Sequence, residues 1–167
     1  MKWLGKLVII STILYMISII LLPVELKASE EKLQIDLTSL KSEYRFKEPI
    51  IIEIKLKNIS EREVNVLKML LPEGWLISIT IKNTQGGIVY TSRSVAIEMT
   101  AAMLETVFLE PGYFMGTSFK IDEPISPGEY TIDVVYSTDH LATRPNLNIP
   151  IGSWQSNIVR IKVLKGE

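Results

Sequence analysis

The chain has no cysteine and a single histidine, His140. Without cysteine there is no disulfide framework, thiol nucleophile or thiolate zinc site, and no cysteine to carry a lipid at a mature N-terminus. One histidine excludes a multi-histidine metal site. An excess of one charge is also absent. The 18 Lys+Arg and 19 Asp+Glu leave a formal net charge of −1, so no global basic field attracts nucleic acid. The longest mostly apolar run, Leu7 to Leu22, is 16 residues, short of the ~20 that cross a bilayer as a helix. What the chain does have is apolar substance: 47% of its 167 residues are hydrophobic. That is enough for one packed domain and too much for a disordered chain.

Residues 1–28 read as an export leader, separate from the fold. Lys2 and Lys6 charge its start, Leu7–Leu22 forms its apolar centre, Pro23 ends it, and Leu26-Lys27-Ala28 offers a cleavage site with a small last residue. The alternative is an uncleaved membrane anchor, the one route by which this chain would hold a membrane. The expected location is periplasmic, cell-surface or extracellular. Residues 29–167 then carry 15 basic and 18 acidic residues, and a chain of this size can stand without crosslinks.

The dominant period of that part is two. Leu33, Ile35 and Leu37 alternate with polar residues. So do Ile50, Ile52, Ile54 and Leu56; Ile77, Ile79 and Ile81; Tyr130, Ile132, Val134 and Tyr136; and Val159, Ile161 and Val163. Successive side chains of a strand point to opposite faces, so each segment has one covered face and one wet face. Between them stand Asn58-Ile59-Ser60, Asn83 to Gly87, Pro111-Gly112 and Pro127-Gly128, which are turn formers by backbone preference. The expectation is an all-β domain, an antiparallel β-sandwich of about seven to nine strands. Two stretches do not fit the period. Ser92–Leu104 reads as a short helix or an irregular crossover, with Ala96, Met99 and Met103 able to share a helical face. Thr138–Trp154, with Arg144-Pro145 and Ile149-Pro150, reads as a long loop that the sandwich itself does not need.

Tyr44-Arg45-Phe46-Lys47-Glu48-Pro49-Ile50, the strand after it and Asn58-Ile59-Ser60 together resemble a bacterial immunoglobulin-like sandwich pattern. Leu109-Glu110-Pro111-Gly112, Pro127-Gly128-Glu129-Tyr130 and the closing Ser156-Asn157 fit the same scheme. The pattern is similar to that of the bacterial proteinase-inhibitor β-sandwich family and of many exported domains, over about residues 33–164. The resemblance implies the immunoglobulin-like fold, with proteinase inhibition as one implied activity. Lys47 departs from it, because a glycine often precedes the Glu-Pro pair.

No catalytic set emerges. His140 follows Asp139, but no nucleophile elbow accompanies them, and the expectation is a protein that is not an enzyme. Met99 and Met103, with Met69, Met115 and His140, are soft donors of the kind Cu(I) takes; scattered methionines fill cores equally well. Asp122, Glu123, Glu129 and Asp133 lack the spacing of a calcium loop. No metal and no cofactor is therefore assigned, and a metal carrier ranks below the inhibitor as an alternative. The expected function is binding of a protein partner through the long loops or a strand edge, with no nucleic acid. The binding residues expected from the sequence are Trp75, Met99, Met103, Arg144, Asn146, Leu147 and Trp154. The two tryptophans sit beside turns and suit either an anchor or an end plug. Phe114, Met115 and Ile149-Pro150-Ile151 could extend an apolar patch beside them.

Overall fold

A computed structural model describes residues 32–68, 70, 76–92 and 104–166, without the side chain of Pro145. The leader, Met69, Trp75, Met99, Met103 and the body of the Ser92–Leu104 crossover lie outside the described residues.

All five alternating segments are strands with the expected side inward. They are β1 (Leu33–Ser39), β3 (Ile50–Asn58), β5 (Ile77–Asn83), β9 (Gly128–Ser137) and β11 (Val159–Leu164). The others are β2 (Glu43–Arg45), β4 (Val64–Leu67), β6 (Ile88–Thr91), β7 (Thr106–Leu109), β8 (Phe114–Ile121) and β10 (Ser153–Gln155). One sheet has the order β1-β3-β8, and the second has β2-β11-β9-β5-β6 with β10 also on β9. Their inner faces meet in one core, where Ile52, Ile54, Leu56, Ile81, Ile132 and Val134 are fully buried. A two-stranded ribbon, β4-β7, continues the β3-β8 pair past a corner.

Eleven named segments exceed the seven to nine expected, because long strands are broken by corners. Read as continuous, β3 with β4, β7 with β8 and β10 with β11 leave eight strands among the described residues. Among the described residues the antiparallel rule has one exception between strands, besides the single parallel bridge of Ile35 to Ser156. β2 runs parallel to β11, pairing Tyr44 with Val163, because the chain crosses from one sheet to the other between β1 and β2 without reversing.

Three polar devices close the sandwich. Tyr130 opens β9 and donates its hydroxyl back to the Ser126 carbonyl at 2.7 Å. Its ring folds over Gly128, where a Cβ would meet the ring at 3.3 Å. This is the tyrosine corner of immunoglobulin-type sandwiches. Tyr44 is buried, with its hydroxyl 2.8 Å from Ser39 Oγ and donating to the Ile51 carbonyl at 3.0 Å. Ser156 and Asn157 interrupt β10 and β11. Ser156 Oγ accepts from the Val134 N–H at 3.0 Å, and the Asn157 amide exchanges two bonds with the Leu37 backbone, at 2.7 and 2.9 Å. A side chain thus substitutes for a ladder rung between the two sheets. The fold is an immunoglobulin-like β-sandwich.

Lys47 stands at φ +67°, in the left-handed region that glycine tolerates without strain. The position has the backbone of the missing glycine.

Candidate functional site

One pole of the sandwich gathers the unusual surface. β1 starts there, since Leu33 pairs with Asn58 at the end of β3, and Lys57 pairs with Phe114 at the start of β8. The bridge from Ile35 to Ser156 places β10 at the same end, and β10 pairs with the end of β9. The loop after β9 is therefore at this pole as well.

Asn58 builds the corner. It is 0% exposed, which for an amide requires a full set of partners. Its Nδ2 donates to the carbonyls of Arg62 at 2.6 Å and Leu109 at 2.7 Å. Its Oδ1 accepts from the Ser60 N–H at 2.9 Å and the Ser60 hydroxyl at 2.6 Å. Its backbone N–H and carbonyl meet Tyr113 and Gly112 at 3.0 and 2.9 Å. Gly112 takes φ +80° in the Pro111-Gly112 turn, as a type II turn requires. The ribbon bends here. Val64, Val66, Leu67 and Leu109 beyond the bend stay in the core, while the aromatic side chains at the corner face outward. Phe108, Tyr113 and Phe114 are 63%, 63% and 55% exposed. Ile59 and Val107 beside them are exposed too, and Lys55 Nζ lies 5.2 Å from the centre of the Phe114 ring.

The loop between β9 and β10 forms two 3₁₀ turns, Asp139–Leu141 and Pro145–Leu147. It is tied down at both ends. Thr138 is buried, its hydroxyl donating to the Pro150 carbonyl at 2.7 Å and accepting from the Gly152 N–H at 3.1 Å. Leu141 and Ile149 reach the core. In the middle, Asn65 on β4 donates to the Leu147 carbonyl at 3.0 Å, which joins the loop to the ribbon that carries Phe108. The expectation that the sandwich does not need this loop is corrected, because two of its residues are core.

Of the expected binding residues, Arg144 and Asn146 are exposed on the loop. Leu147 is half-buried against the core. Trp154 lies in β10, not in the loop, half-buried with its ring 5.6 Å from that of Tyr136. The structure brings these four to one pole. Trp75, Met99 and Met103 are outside the described residues, and Met115 is half-buried on β8. The sequence reading did not single out Asn65, Val107, Phe108 or Tyr113. A run such as Thr106-Val107-Phe108-Leu109 reads as a core strand, but only Leu109 of it is buried.

Partial burial holds His140 below the ordinary histidine value, while adjacent Asp139 opposes the shift. Burial raises the Tyr136 hydroxyl well above its usual value. Among the described residues no three carboxylate or imidazole groups converge as metal ligands. A shallow groove of about 310 Å³ lies elsewhere, on the outer face of the larger sheet, where Glu43, Glu129, Arg160 and Lys162 alternate in sign. No helix among the described residues is long and apolar enough to cross a membrane.

No protein-family model matches the chain, and no curated protein matches it. Solved structures do. The CARDB domain of a Pyrococcus furiosus protein, in complex with di-metal ions, is 13% identical over 81% of this chain and 96% of that one, with a TM-score of 0.44. A β-glucosidase from Listeria innocua in complex with isofagomine is 15% identical with a TM-score of 0.43, over 82% of this chain and 16% of the enzyme. A β-glucosidase from Erythrobacter marinus is 10% identical with a TM-score of 0.41, over 80% and 16%. The chain spans a small part of either glucosidase. At these identities the likeness is one of fold and does not extend to chemistry.

Proposed function

We propose that the chain is an exported, non-enzymatic binding module that engages a protein partner with the pole built around Asn58. One observation carries this reading. Of the eleven large hydrophobic side chains exposed among the described residues, six (Ile59, Val107, Phe108, Tyr113, Phe114 and Ile151) stand at this one pole. Contiguous exposed apolar surface on a soluble domain marks interaction sites, and aromatic residues dominate their energetics. The frame beneath is held by buried amide and hydroxyl bonds, so docking would order little further backbone. Arg144 and Asn146 supply a polar rim. Export remains part of the proposal through the leader at 1–28.

The test compares partner capture from the exporting cell by the native protein and by a Phe108→Ser/Tyr113→Ser variant. A Leu40→Ser variant at the opposite pole serves as control. The expected result is capture lost in the first variant and kept in the second, with unchanged far-UV circular dichroism in both. Equal capture by all three proteins overturns the assignment of the pole.

A further inference from the structure

The outer face of the larger sheet carries charges that do not pair. Tyr130, Ile132, Ile161 and Val163 are buried on its inner side, so Glu129 and Thr131 on β9 and Arg160 and Lys162 on β11 point the other way. In register, Glu43 on β2 and Glu129 stand on either side of Lys162, and Arg160 stands opposite Thr131. Opposite charges at such positions are close enough to bond. Among the described residues none of the four forms an ion pair. Asp133, the other acid of β9, is held by Lys82 at 2.9 Å. Arg160 is thus left without a carboxylate and Glu129 without a cation.

These groups line the groove of about 310 Å³, which is at the lower end of the range for small-molecule sites. The hydroxyls of Thr84 and Thr131 lie in the same lining. The chemistry narrows the occupant. Glu43 and Glu129 balance Arg160 and Lys162, which disfavours a polyanion. The one ring among the described lining residues, Tyr130, is 7% exposed with its hydroxyl bonded to Ser126, so no aromatic face is offered for a sugar or a base to stack on. A small molecule that carries both signs of charge fits what remains.

We infer that this groove binds a short peptide of dipeptide length with both ends free, its carboxylate on Arg160 and its ammonium on Glu129. The planar fork of Arg160 matches a carboxylate with two parallel bonds. Glu129 accepts from the ammonium, and the Thr84 hydroxyl in the same lining is a further acceptor. Arg160 and Glu129 are diagonal neighbours on adjacent antiparallel strands, a separation of about 7–8 Å. Two extended residues span about 7 Å, so the ends of a dipeptide reach both groups. The ammonium and carboxylate of a single amino acid sit on one carbon and do not. Glu43 and Lys162, side by side in register, offset each other. The groove is separate from Phe108 and Tyr113, so this site and the proposed protein partner stand or fall independently.

The test titrates the purified protein with alanyl-alanine, its N-acetyl form, its C-terminal amide and free alanine, and follows backbone amide shifts by NMR. Alanyl-alanine is expected to bind in the millimolar range, with shifts confined to β9, β11 and the turn at Thr84 and with weaker binding as salt rises. Blocking either end is expected to weaken binding about tenfold. Arg160→Gln is expected to bind the free acid and the amide alike, and Glu129→Gln the free and the acetylated amine alike. Both side chains are exposed, so the core is untouched in either variant. Phe108→Ser/Tyr113→Ser is expected to bind alanyl-alanine as the native protein does. Four outcomes overturn the proposal: no saturable shift at the groove, equal binding of the free and blocked dipeptides, free alanine binding as tightly as the dipeptide, or native discrimination retained in both Arg160→Gln and Glu129→Gln.

Discussion

At the scale of single residues, the consequential positions are polar. The Asn58 side chain satisfies four backbone or side-chain groups from full burial. Asn58→Ala removes the amide's bonds to the Leu109 and Arg62 carbonyls, and a loss of about 2–4 kcal/mol is expected in denaturant unfolding. Lys47 is the opposite case. Its left-handed backbone at φ +67° costs an L-residue about 1–2 kcal/mol, part of which is offset by the greater entropy of an unfolded glycine. Lys47→Gly is expected to raise stability by about 0.5–1 kcal/mol, measured by the same unfolding curves. Two groups set a pH dependence on the acid side. His140 in the folded chain binds its proton less readily than the ordinary value of 6.5, so the unfolded chain takes that proton first. Stability from this group is complete above that value and falls as pH drops below it. Glu48 is held below its ordinary 4.5 by Lys41 and the Arg45 N–H, so its contribution persists further down and is lost as pH falls through the folded value. A His140→Gln variant is expected to flatten the first decline and leave the second.

At the scale of elements, the breaks in the strands matter as much as the strands. Asn157 holds β1 against the second sheet with two bonds to Leu37. Asn157→Ala is expected to cost about 1–2 kcal/mol and to speed amide exchange at Leu37 selectively, which hydrogen exchange would read. The loop after β9 depends on Thr138 in the same way. Thr138→Val keeps the shape of the side chain and removes its bonds to Pro150 and Gly152. Faster exchange over 139–152 with an intact sandwich is the expected outcome. Both devices were partly legible. Ser156-Asn157 and Asn58-Ile59-Ser60 stand out as turn formers between apolar runs. Nothing local says that their side chains reach strands 120 and 51 positions away.

At the scale of the whole molecule, two sheets with one core leave four edges and two poles, and the surfaces differ sharply. The pole around Asn58 is aromatic, the opposite one less so, and one edge of the four is bare among the described residues. Phe108→Ser/Tyr113→Ser is expected to abolish partner capture without changing the far-UV circular dichroism, since both side chains are mostly exposed.

The sequence by itself determined the sandwich. Burying every second side chain is a local pattern, so the inward faces of β1, β3, β5, β9 and β11 could be read from alternation alone. The turn ahead of Tyr130 was likewise marked by Pro127-Gly128, while the bond of its hydroxyl to Ser126 was not. Only the tertiary structure decided which apolar residues stay outside. Phe108 and Phe114 have the same chemistry as Phe119, but Phe114 lies on the opposite face of β8 from Phe119, Phe108 precedes buried Leu109 on β7, and both stay exposed. Corners and edges are properties of long-range pairing, which the pattern of a single strand does not contain.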